Sequence, residues 1–224
     1  MREHFEGELK EITDQMVEMS RLVGSAINRA TTALLDADLD LAEGVITGDL
    51  RIDRLQVDLE EKAQEVVIRQ QPVARDLRVI LTALRIGGDL ERMGDLADHI
   101  AKVARMRYPN SAIPPELRGT FVQMGQVAER IVAKTGSVIA SRDVDIAGQM
   151  ETDDDDMDRL HRSLFRVLLS PDWEHGVEAA VDITLCSRYF ERFADHAVSV
   201  ARRVIFLVTG ERVYPYPGME PTWG

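Results

Sequence analysis

Apolar residues recur along this chain in steps of three and four, over stretches too long for strands. Leu9, Ile12, Met16, Met19, Val23, Ala26, Ala30 and Leu34 mark one stripe and predict a helix over about residues 3–36. A second helix is predicted from about residue 40 to 69, with Ile52, Leu55, Leu59 and Val66 on one side. Gln70 and Gln71 precede Pro72, which cannot extend the hydrogen-bond ladder and disfavours a helical conformation before it. A third helix is expected over about 74–106, followed by a break from Arg107 to Pro115 that holds Pro109, Pro114 and Pro115. The stripe then returns as Leu117, Phe121, Met124, Ala128, Ile131 and Val138, predicting a fourth helix over about 116–141. A fifth follows over about 145–169, and Ser170, Pro171 and Asp172 turn the chain into a last helix ending at Thr209, with Gly210 as its cap.

The order of long helix, turn, long helix, proline turn and long helix occurs twice, and the halves align. Asp38 to Ala42 matches Asp143 to Ala147, and Asp49 to Leu55 matches Asp154 to Leu160. In the third helix of each half, Glu91, Arg92 and Asp95 match Glu191, Arg192 and Asp195. The fold class expected is all-α, with two tandem antiparallel three-helix bundles built from rods of about 40–50 Å. The units run over residues 1–108 and 116–210, with a linker at 109–115 and an irregular C-terminal tail at 211–224. Sequence leaves open whether the bundles pack side by side or end to end.

Composition fits that reading. Hydrophobic residues make up 45% and charged residues 29%, enough to fill a core, while aromatics at 5% suit helix packing better than a sandwich. A single cysteine, Cys186, excludes an internal disulfide framework and a thiolate metal cluster, and is expected in the core. No apolar run approaches the ~20 residues needed to cross a bilayer, and the first residues are acidic and amphipathic, so the expected location is cytoplasmic. A net charge of -12 argues against direct nucleic-acid binding and fits cations or a basic partner surface better.

The acidic residues carry the candidate chemistry. Each half has two carboxylate pairs at a spacing of four: Asp49 with Asp53 and Glu91 with Asp95, then Asp154 with Asp158 and Glu191 with Asp195. Such residues stand one above the other on a helix face and repel unless a cation, a proton or an arginine is shared. At 100° per residue Glu91, Asp95 and Asp98 cluster opposite Met93, Ala97, Ile100 and Ala104, which places them on an outward or groove face. If the second and third helices are neighbours, four carboxylates converge in each half. An all-oxygen set suits iron, manganese, magnesium or calcium, and zinc only weakly without His or Cys. His99, His161 and His196 lie near the pairs and are minor candidates for nitrogen ligands. The same spacing also fits a solvated acidic face, and Asp153 to Asp156 fits a charge run near a helix start. The chain has no Glu-x-x-His motif of diiron bundles, no Gly-rich phosphate loop and no Cys/His zinc pattern.

The run from Arg69 to Arg78, the stretch from Asp89 to Ile100 and its partner from Glu191 to Ala197, on a duplicated three-helix plan, resemble the PhoU family over about residues 3–210. These are bacterial phosphate-transport accessory and signalling proteins. The resemblance implies a non-enzymatic negative regulator of the phosphate-starvation response. It implies contacts with a sensor histidine kinase and with the ATP-binding subunit of the phosphate ABC transporter, with a homodimer as a further candidate and membrane association only through partners. It also implies metal ions at Asp49, Asp53, Glu91, Asp95, Asp154, Asp158, Glu191 and Asp195. The chain departs from the family pattern in three places. The second half lacks the Arg-Asp-Leu-Arg run, a position often Asn is His99 or Ser199, and the Pro- and Tyr-containing tail is an addition. A carboxylate-bound, metal-dependent enzyme is the competing reading.

Overall fold

The computed structural model describes residues 2–211, with side chains from Phe5 onward. Among the described residues six α-helices account for nearly the whole chain: α1 (Arg2–Asp36), α2 (Leu39–Gln70), α3 (Arg75–Arg107), α4 (Arg118–Ser141), α5 (Val144–Leu168) and α6 (Gly176–Thr209). The expected boundaries differ from these by one or two residues, except that a 3-10 turn, Pro115–Leu117, precedes α4. The irregular tail expected over 211–224 falls, after Glu211, outside the described residues.

The aspartates that open the aligned segments are helix caps. Asp38 accepts from the Leu41 N–H at 2.9 Å, and Asp143 accepts from those of Asp145 and Ile146 at 2.9 and 3.1 Å. Each satisfies donors that the first helical turn leaves unpaired, so the repeat conserves where α2 and α5 start. At the other end of the chain Gly210 adopts a φ of 80° and donates to the Phe206 carbonyl at 2.9 Å, closing α6 as the glycine predicts.

The helices form two three-helix halves that lie side by side. α1, α2 and α3 pack on one another, as do α4, α5 and α6; α1 also packs on α4, and α3 on α6. Across the second of these contacts Asp89 meets His196 and Arg203, His99 meets Tyr189, and Arg107 meets Asp182. As one index rises the other falls, so α3 and α6 run antiparallel. α1, α3, α4 and α6 make the middle of the molecule, and α2 and α5 flank it. One continuous apolar cluster runs through both halves, including Ile12, Met19 and Leu34 of α1, Phe121 and Met124 of α4, and Phe190 and Phe193 of α6. Burying an apolar stripe on each helix removes each such side chain from water at a gain of about 1.5–3 kcal/mol. Cys186 belongs to that core, and burial pushes its thiol up from its ordinary pKa.

Polar groups hold the junction at two levels. Asp89 accepts from Arg203 Nε at 2.6 Å and lies 3.1 Å from His196 Nδ1. Arg107 grips the buried Asp182 through Nε at 2.5 Å and a terminal nitrogen at 3.1 Å, and also pairs with Glu178. The residues matching Asp89 and Asp182 in the other half are Tyr189 and Thr82, so this polar junction is not itself duplicated.

Candidate metal centres

Because α2 lies antiparallel against α3, Asp49 and Asp53 are brought to the level of Glu91 and Asp95. Gly94 permits the close approach: a Cβ there would stand 2.9 Å from Asp49 Oδ1 and 3.0 Å from Ile52 Cδ1. Asp49, Asp53 and Asp95 each offer an oxygen within 4.8 Å of the others, and among the described residues no other three acidic, His or Cys side chains do so. Glu91 stands beside them, close enough that Asp95 and Asp53 both act on its carboxyl. All four are half-buried, in a groove rather than a closed core.

The electrostatics are those of acids confined without enough counter-charge. Burial, then Asp53, Asp98 and Asp95, push the Asp49 carboxyl up to about 7. Asp53 and Glu91 are also raised, burial first and Asp95 next. Arg92 reaches Asp95 at 2.8 Å and so answers part of the charge. Asp49 Oδ1 is buried without a hydrogen-bond partner. A buried carboxylate oxygen in that condition costs roughly 1–3 kcal/mol or more.

α5 and α6 repeat the frame. Burial, then Asp195, Asp158 and Glu191, push Asp154 up to about 7, so each of the other three acids acts on it. Glu191 is raised by burial and Asp195, against Arg188, with which it pairs. Asp195 stands exposed at the rim, yet lost hydration on its inward side raises its carboxyl first, with Arg188 opposing and Asp158 adding. Asp154 Oδ1 and Glu191 Oε2 are buried and unpartnered.

The donor set in both halves is carboxylate oxygen, with three of the eight acids holding an orphaned buried oxygen. These residues fit a hard cation. The histidines named as minor candidates go elsewhere. His99 stacks on Tyr189 with ring centroids 5.2 Å apart, and His196 faces Asp89 across the junction. His161 Nδ1 lies 3.0 Å from Ser187 Oγ, and burial with Arg188 nearby holds its imidazole below the usual range.

The run from Asp153 to Asp156 divides by direction around α5. Asp153 is buried against α4, taking Arg130 at 2.9 Å and Lys134 at 2.6 Å, while Asp154 turns toward α6. Asp156 takes Arg159 at 2.9 Å, and Asp155 is exposed. Asp153 and, at 3.4 Å from Arg130, Asp156 tie α5 to α4, and Asp154 joins the candidate centre, so the plain charge-run reading holds for Asp155 alone.

Comparison with known proteins agrees with the duplicated all-α fold. The sequence model of the PhoU domain matches twice, over residues 16–104 and 121–204, once in each half. The chain belongs to the PhoU family. Among relatives, the phosphate-specific transport system accessory protein PhoU homolog 2 of Mycobacterium tuberculosis is 50% identical over 210 residues, covering 94% of this chain and 99% of that one. The crystal structure of PhoU from Pseudomonas aeruginosa superposes with a TM-score of 0.86 at 30% identity, over 92% of this chain and all of that one. The phosphate transport system regulatory protein PhoU of Streptococcus pneumoniae gives 0.85 at 26% identity, over 94% of this chain and 99% of that one. PhoU proteins are non-catalytic regulators accessory to phosphate transport, and the competing enzyme reading gives way to that role. No helix among the described residues is long and apolar enough to cross a membrane.

Sequence reasoning passed over three residues that the structure brings to these groups. Asp98 lies on the expected acidic face but outside the pairs; it is buried and acts on both Asp49 and Asp53. Lys102 pairs with it, and Arg188 pairs with Glu191. The available signals were spacing alone: Asp98 lies seven residues after Glu91, Lys102 four after Asp98, and Arg188 three before Glu191.

Proposed function

We propose that the protein is a cytoplasmic negative regulator of the phosphate-starvation response. In this reading it couples the phosphate ABC importer, through its ATP-binding subunit, to a sensor histidine kinase by direct protein contacts. Each three-helix unit, residues 1–108 and 116–210, carries one centre for hard cations such as manganese, iron or magnesium. Asp49, Asp53, Glu91 and Asp95 would hold the ion in the first unit, and Asp154, Asp158, Glu191 and Asp195 in the second. The observation that carries the reading is the recurrence of this frame in both halves, with buried oxygens lacking partners in each.

A bound cation supplies positive charge between carboxylates that otherwise repel. The chain's own residues do the rest. α2 and α3, or α5 and α6, hold the acids at one level; Arg92 holds Asp95 and Glu91 in the first set, and Arg188 and Arg162 hold Glu191 and Asp158 in the second. Asp89 with His196, and His99 with Tyr189, bracket the stretch where both sets lie, so the two centres share one stretch of the α3–α6 junction. Their charge state therefore changes the field over one region of the surface, the kind of change that alters protein recognition.

The direct test is capture of purified protein on the immobilised cytoplasmic part of the kinase or on the ATP-binding subunit, with and without Mn2+, at high and low phosphate. Binding to at least one partner is expected, weakened when Asp95→Ala and Asp195→Ala are combined. The double variant is also expected to derepress a phosphate-response reporter. Absence of binding to both partners under every condition sinks the proposal.

A further inference from the structure

The two acidic groups start from the same four positions, yet the first has a fifth acid. Asp98 continues the row of Glu91 and Asp95 on α3, about 4.5 Å further along the helix than Asp95. Its side chain is only 6% exposed, and its Oδ1 is buried with no hydrogen-bond partner. Asp98 lies one turn after Gly94, on the face of α3 that meets Asp49 and Ile52 of α2, so it stands on the α2 side of the helix beside the cluster. Its other oxygen takes the ammonium of Lys102 one turn later, whose side chain is 47% exposed. That single partner answers half of a buried carboxylate and leaves the other oxygen unmatched.

The second half has no counterpart. Val198 fills the position matching Asp98 and is buried in the core. Arg202, which matches Lys102, turns instead to Glu151 at 3.0 Å. Arginines do not separate the two groups by the number of acids they answer: Arg92 reaches Asp95 at 2.8 Å and Glu91 at 3.7 Å in the first, while Arg188 pairs with Glu191 and Arg162 with Asp158 at 3.5 Å in the second. The fifth carboxylate and its lysine do.

We infer that Asp98 is a further cation ligand of the first-half centre, that Lys102 is a built-in counter-ion which a bound divalent cation displaces, and that the first centre binds such cations more tightly than the second. The inference rests on the reading of the carboxylate groups as cation centres. Its physical basis is charge count: added carboxylate ligands tighten a hard-cation site, and a lysine head on a flexible stem, already half in water, leaves with little cost.

The experiment is a Mn2+ titration of the full chain after chelator treatment, near neutral pH, read by calorimetry and by bound-metal content. The wild type is expected to show two classes of site. Asp98→Asn and Asp98→Val should each weaken the tighter class about 10-fold or more, and leave the other unchanged. Lys102→Met should tighten it, and Val198→Asp should tighten the weaker class. Thermal unfolding separates folded from misfolded variants, and Asp98→Val introduces the residue that the second half already carries. If both Asp98 variants leave the tighter class unchanged while Asp49→Ala removes it, the role of Asp98 is overturned and the cation reading stands. If Lys102→Met weakens binding, the counter-ion role is overturned. A wild type that binds no Mn2+ overturns this inference together with the cation reading beneath it.

Discussion

Between α2 and α3, three carboxylates offer oxygens within 4.8 Å of one another; between α5 and α6, the matching acids approach but form no such trio. The difference traces to neighbours, not to the acids themselves. Gly94 lets α2 sit against α3, where the second half has Ala194, and Asp98 stands where the second half has Val198. Both halves nevertheless raise one aspartate, Asp49 or Asp154, to about 7, with burial as the leading cause. Duplication has kept the acidic frame and its strain, while the residues that set spacing and charge have diverged.

The sharpest test of that comparison removes one acid at a time. Asp49→Ala should cost the first centre about 100-fold in Mn2+ affinity while sparing the second, and Asp154→Ala should do the reverse, as judged by bound-metal content. Equal losses at both centres from either change would mean that the halves do not bind independently.

Next in size is the junction that holds the centres on one body. Asp89→Ala strips His196 and Arg203 of their shared carboxylate, and both keep some exposure to water, so the expected loss is about 2 kcal/mol in urea unfolding. The spacing residue comes after it. Gly94→Ala places a methyl against Asp49 Oδ1 and Ile52, which should cost about 1–2 kcal/mol and weaken Mn2+ binding in the first half toward that of the second. Ala194→Gly should cost about 1 kcal/mol through backbone freedom.

The smallest effect is that of pH, and it should be similar in the two halves. An aspartate that ionises near 3.9 in the unfolded chain and at about 7 in the folded one keeps a proton that the unfolded chain has already lost. Its contribution to stability is therefore complete below about pH 4 and fades as pH rises through 7. Metal-free protein should lose about 1 kcal/mol per half over that range, seen as a falling Tm. Asp49→Asn and Asp154→Asn should each remove their share of the slope. Mn2+ should bind better as pH rises, because it competes with those protons.

Most of the fold was legible because helices announce their buried face by period. Ile12, Met16, Met19, Val23, Ala30 and Leu34 are buried as their spacing predicts, and so are Leu117, Phe121, Met124, Ala128, Ile131 and Val138. Pro72 and the proline-rich break fall between helices, and the repeated Asp38 and Asp143 turn out to cap α2 and α5. The paired acids were legible for the same reason, since a spacing of four fixes which side chains share a face. The distinct uses of Asp153, Asp154 and Asp156 were not, because neighbouring residues on a helix point toward different partners.

Six helices and the faces on which the eight acids stand are written in periodicity within single helices, and the duplication in the alignment of the two halves. The side-by-side packing of the halves, through α1 with α4 and α3 with α6, came from contacts between helices that no local pattern specifies. So did the burial of Asp98 on the face that Gly94 turns to α2, while His99, one residue on, stacks on Tyr189 across the junction. The reason is physical: a local pattern specifies a face, whereas burial and charge depend on what another helix, dozens of residues away, brings against that face.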